Sequence, residues 1–125
     1  MARSFRELAV WQRAIELATL LYKVTQQFPR NEIYGLTSQL RRAGVSVASN
    51  IAEGCGRATT GEYRSFVGFA RGSALEVQTQ LVIARELGLG DPNQLAEAEQ
   101  LADEISKMLW AIRQKLSDRL QAADR

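Results

Sequence analysis

Histidine is absent from this 125-residue sequence. The commonest general base and the commonest metal ligand are therefore missing. Cys55 is the only cysteine, so no intrachain disulfide can form, and such cysteine usage suits a reducing compartment. Prolines number only two, Pro29 and Pro92, and every glycine falls between Gly35 and Gly90. No apolar run approaches membrane-spanning length, and Met1-Ala2-Arg3 does not open a basic and apolar leader. The expected location is the cytoplasm, with no membrane contact.

What is present fits one soluble domain over residues 1–125, with 46% hydrophobic and 24% charged residues. The net charge of +2 is unevenly spread. Residues 1–30 carry five basic and two acidic groups, whereas 91–125 carry five basic and seven acidic. That asymmetry is mild; it permits a local nucleic-acid contact without announcing one.

Apolar residues recur at helical spacing throughout, and no strand alternation occurs. Four helices are predicted, at about 4–28, 32–56, 60–87 and 92–119. Ser4 to Glu7 and Thr59 to Glu62 read as capping boxes. Gly88 reads as a left-handed stop with Leu89 folding back, and Asp91-Pro92 as an N-cap followed by proline at the first helical position. The first helix carries two apolar stripes, one of Leu8, Trp11, Ile15, Ala18 and Tyr22, the other of Ala14, Leu17, Leu21, Val24 and Phe28. Together they cover over half its circumference, more than one intramolecular groove accepts. The expected fold is all-α, an antiparallel up-and-down four-helix bundle with apolar surface to spare for another subunit.

A polar seam interrupts this pattern. Gln39, Ser46, Asn50 and Glu53 share one face of the second helix, and Glu62, Phe66, Phe69, Ser73, Glu76 and Gln80 one face of the third. In an antiparallel hairpin these faces meet, with Ser46 or Gln39 nearest Ser73 or Glu76. A carboxylate metal centre would need histidine beside its glutamates, and an acid–base pair of Glu53 and Glu76 has no nucleophile. The residues instead favour a structural corner of Asn50, Glu53, Gly54, Ser73 and Glu76 that caps helix ends and fixes register. Gly68 and Gly72, four apart, would let another backbone come close. No catalytic residue, metal or cofactor is expected. Cys55, at a helix C-terminus, reads as a small structural residue.

Arginines form the remaining pattern. Arg64, Arg71, Gln78 and Arg85 recur every seven residues, preceded by Arg57, while Arg41-Arg42 lie on the second helix. Arg41, Arg42, Arg57, Arg64 and Arg71 are the candidate phosphate contacts. Interspersed glutamates make an ordinary solvated face the plainer reading. Trp110 points away from its helix's apolar stripe, as at a subunit contact or a stacking surface.

The sequence resembles the bacterial four-helix-bundle proteins encoded in intervening sequences of large-subunit ribosomal RNA genes. Phe28-Pro29, Glu32, Tyr34-Gly35-Leu36, Gln39-Leu40-Arg41-Arg42-Ala43, Ser46, Asn50-Ile51-Ala52-Glu53-Gly54 and Arg57 carry the likeness. Glu62, Phe66, Ala70-Arg71-Gly72-Ser73 and Glu76 complete it, over about residues 5–117. The chain is also similar to the accessory protein of diversity-generating retroelements, a basic pentameric barrel that binds a reverse transcriptase and nucleic acid. The resemblance implies a homopentamer without enzymatic activity. Its expected role is a nucleic-acid-binding or ribonucleoprotein accessory module for RNA or DNA. The alternative is a ring that scaffolds a protein partner without nucleic acid.

Overall fold

The computed structural model describes residues 4–124. It contains four α-helices: α1 (Ala9–Gln26), α2 (Leu36–Cys55), α3 (Thr60–Glu86) and α4 (Pro92–Ala123), with no strand among the described residues. Each helix packs on its neighbour in sequence, α4 closes on α1, and neither diagonal pair approaches. Short connections reverse the chain between helices, and the result is an up-and-down bundle of roughly square section.

The helix starts differ from expectation where side chains stabilise tighter turns. Ser4 caps a 3-10 turn, Phe5–Glu7, rather than α1, its hydroxyl accepting from Arg6 N at 3.2 Å. Leu8 is extended, and α1 begins only at Ala9. Phe5 then packs edge-on against Trp11, ring centres 5.2 Å apart. Pro29 opens a second 3-10 turn, Arg30–Glu32. The Glu32 carboxylate accepts from Leu36 N at 3.1 Å, so this residue serves α2 from outside instead of beginning it.

The later boundaries follow their local chemistry. Thr59 caps α3 through Glu62 N at 3.1 Å, and its hydroxyl also donates to the Glu62 carboxylate. At the far end Leu89 N bonds to Ala84 O and Gly88 N to Arg85 O, a Schellman closure with Gly88 at φ +70°. Gly90 is also left-handed, at φ +72°, and a Cβ there would stand 2.8 Å from the Phe28 ring. Asp91 accepts from Asn93 N and Gln94 N to start α4. That helix runs to Ala123, beyond the expected 119.

Ala14, Leu17, Leu21 and Val24 of α1 meet Leu40, Val47 and Ile51 of α2, Val67, Val77 and Leu81 of α3, and Leu95, Ile105 and Leu109 of α4 in one core. The other α1 stripe is consumed only in part, Leu8 and Trp11 packing against this core. Ile15 and Tyr22, on the same stripe, remain 38% and 45% exposed.

Candidate functional site

Along the α2–α3 contact the two serines meet, Ser46 Oγ lying 3.0 Å from Ser73 Oγ. Asn50 Nδ2 donates to both Ser46 O, at 2.9 Å, and Ser46 Oγ, at 3.0 Å, closing a small network. Nearer the turn, α3 comes so close that a Cβ on Gly54 would stand 2.9 Å from Phe66 Cβ and 3.0 Å from Tyr63 Cδ1. Glu53 and Glu76 do not join this corner. Both are exposed, and neither carboxylate makes a hydrogen bond or ion pair with a described residue. Each lies three residues beyond its seam partner, Asn50 or Ser73, which rotates it about 60° outward. Of the five expected corner residues Asn50, Gly54 and Ser73 remain, and Ser46 joins them.

At the hairpin tip the Arg57 guanidinium lies over the Phe66 ring at 4.5 Å and 4.0 Å from the Glu62 carboxylate. The Cys55 thiol donates to the Tyr63 hydroxyl at 3.9 Å. Burial pushes the Tyr63 phenol up to about 12, and its thiol neighbour adds to the rise.

The heptad row of α3 is an interhelical seam. Arg64 Nε donates to Ser117 Oγ at 2.6 Å, Gln78 Nε2 to Asp103 Oδ1 at 3.4 Å, and Arg85 Nη1 to the Glu99 carboxylate at 2.7 Å. Asp103 also pairs with Lys107, which holds its carboxyl below the usual carboxylate range. Continued in the same register, the row sets Arg71 opposite Trp110, which is 52% exposed. The Nε atoms of Arg71 and Arg113 are buried without a partner. Gly68 gives room to the Arg113 side chain, 3.2 Å from the place of a Cβ, rather than to a backbone. Gly72 faces open space.

On the α1–α2 side, Arg41 Nε donates to Thr25 Oγ1 at 2.8 Å and its guanidinium stacks 4.5 Å over Tyr22. Arg42 is exposed. Both border an open groove of about 440 Å³ lined with Tyr22, Ile33, Thr37, Ser38 and Val45. The candidate cations thus fall in three places: Arg41 and Arg42 on the α1–α2 face, Arg57 at the tip, Arg64 and Arg71 on the opposite α3–α4 face. The groove itself escaped sequence reasoning, although Tyr22, at the end of the partly exposed α1 stripe, was its visible signal. A second groove, between α1 and α4, is crossed by Arg13, which pairs with Glu16 and Glu104. No group of three His, Cys, Asp or Glu among the described residues is placed to hold a metal ion. No described helix is long and apolar enough to cross a membrane.

Comparison with known proteins places this geometry. A solved protein of unknown function from the S23 ribosomal protein family of Bacteroides thetaiotaomicron VPI-5482 shares the fold at a TM-score of 0.76. The two are 20% identical, and the similarity covers 84% of this chain and 98% of that one. No curated relative matches the sequence. The family model of the 23S rRNA-intervening sequence protein matches residues 6–111, nearly the whole bundle. The chain belongs to the 23S rRNA-intervening sequence protein family.

Proposed function

We propose that this protein is a non-enzymatic, self-associating helical module, a pentamer as the family resemblance implies, that acts in the cytoplasm by presenting a ring to a partner. One observation carries the reading: large apolar side chains remain exposed on a bundle whose core is already complete. Ile15, Tyr22 and Val45 stand out from the α1–α2 side, and Phe69, Ile83 and Leu87 from α3. Patches of this kind mark association surfaces on soluble proteins. Light scattering tests it: a stable multiple of the chain mass is expected, and a monomer at every concentration overturns the reading.

A second reading, binding of RNA or DNA, has its own support in Arg41 and Arg42 beside Tyr22 in an open groove. Arginine and an aromatic ring together suit phosphate and base. Fluorescence anisotropy of labelled RNA at several salt concentrations separates the two. A steep salt slope lost in Arg42→Ala favours a nucleic-acid partner, and no binding at low salt leaves a protein scaffold.

A further inference from the structure

We propose that the α3–α4 face docks an acidic amphipathic helix of a partner protein; this rests on the partner role proposed above and not on self-association. The face divides along its length. Toward the α2–α3 turn stand Arg64, Arg71 and Arg113, each half-buried and none paired with a carboxylate of a described residue. Arg64 bonds Ser117, while the side chains of Arg71 and Arg113 bond no described residue and keep a buried Nε without a partner. Farther along, Leu75, Val82 and Trp110 are exposed. Asp103 and Glu99 beside them are already paired, with Lys107 and Arg85. None of these apolar side chains belongs to the core or to the surfaces assigned above to self-association.

Charge selects the kind of partner. A half-buried guanidinium has lost part of its hydration, so an incoming carboxylate gains more there than at an open surface. Spacing selects a helix. Gly68, Leu75 and Val82 recur every seven residues and alternate with Arg71, Gln78 and Arg85 at intervals of four and three. That is the spacing of a coiled-coil seam, along which a second helix stays in register. Arg64 and Arg71 stand about 10.5 Å apart along α3, as do Leu75 and Val82. A helix with acidic residues one heptad apart at one end, and apolar residues one heptad apart at the other, matches both halves. Gly72, with nothing within 4 Å of its Cβ place, leaves room beside Arg71 for that helix. Nucleic acid fits less well, because Leu75 and Val82 offer no ring to stack on a base and Asp103 and Glu99 interrupt a phosphate track.

Labelled synthetic peptides test the pairing, by fluorescence anisotropy against the full chain. The probe is a helix-forming peptide of roughly 20 residues, long enough to span Arg64 to Val82, with glutamates and leucines placed as above. Its controls are a scramble of the same composition and a copy with lysine for every glutamate; labelled single-stranded RNA is titrated alongside. The acidic peptide is expected to bind about tenfold tighter than either control. Arg71→Ala, Trp110→Ala and Leu75→Glu should each weaken it about tenfold, while Arg42→Ala on the opposite face leaves it unchanged. Circular dichroism confirms the helix content of each variant. Trp110 and Leu75 are exposed, so those two report even where Arg71→Ala fails to fold. A scramble that binds equally well, variants that bind like wild type, or an acidic peptide that does not bind each overturn the assignment. RNA bound in place of the peptide, and lost in the same variants, overturns it in favour of a nucleic-acid partner. Sedimentation velocity on the same sample reads self-association separately. An oligomer that binds no peptide overturns only the groove, and a monomer that binds it overturns only the self-association.

Discussion

Ser46 and Ser73 join α2 to α3 through hydroxyl oxygens 3.0 Å apart, and Asn50 ties the same Ser46 oxygen back to its own helix. The network is partly buried, so losing a member leaves a polar group with poorer partners. Ser46→Ala is therefore expected to lower unfolding stability by about 1 kcal/mol. Glu53→Ala, at an exposed and unpaired position, is expected to stay within about 0.5 kcal/mol in the dissociated chain. Urea unfolding of both variants checks the contrast.

Two glycines should respond in opposite directions. At Gly54 a new Cβ meets Phe66 Cβ at 2.9 Å, an atom next to the α3 backbone that yields only if the helices part. Gly54→Ala is expected to cost about 1–3 kcal/mol. Gly72 lies within α3 with nothing within 4 Å of its Cβ place. Gly72→Ala is expected to stabilise the chain by about 0.5–1 kcal/mol, since alanine is the better helix former. Thermal melts of the pair read both signs.

The α3 seam gives a third expectation. Arg64 spends its Nε on Ser117, so Arg64→Ala removes an interhelical hydrogen bond as well as a charge. A loss of about 1 kcal/mol in chemical unfolding is expected, with Ser117→Ala losing nearly as much and the double variant little more. Additive losses in that cycle would show that the two residues act independently.

Tyr63 predicts an alkaline limit. Its phenol titrates at about 12 in the folded chain, above its ordinary value of 10.0, chiefly because burial disfavours the phenolate. The folded state thus holds this proton over a pH window where the unfolded state has released it. Stability from Tyr63 is full below pH 10 and declines as pH rises toward 12. Tyr63→Phe should flatten that part of the decline, measured as the urea midpoint at successive pH values.

Much of the fold is legible in the residues because capping and stop signals are local chemistry. Thr59, Gly88 and Asp91 each work within a few residues of themselves, and the boundaries they predict are the ones formed. The first two helix starts misled because a 3-10 turn precedes each helix: Ser4 caps the first turn through Arg6 N, and Glu32 ends the second and reaches forward to cap α2 at Leu36 N. Periodicity identified the α2–α3 seam, where Ser46 meets Ser73. It could not resolve how far around each helix the contact extends, and Glu53 and Glu76 fell outside it. The interhelical partners of the arginine row, Ser117, Asp103 and Glu99, lie on another helix, out of reach of local pattern. The groove beside Tyr22 likewise exists only once α1 packs on α2.

The central claim is that this bundle completes its surface with copies of itself, and native mass spectrometry of the wild-type chain tests it most directly. The account predicts one discrete assembly of five copies that persists on dilution. A spectrum containing only the single chain would contradict it.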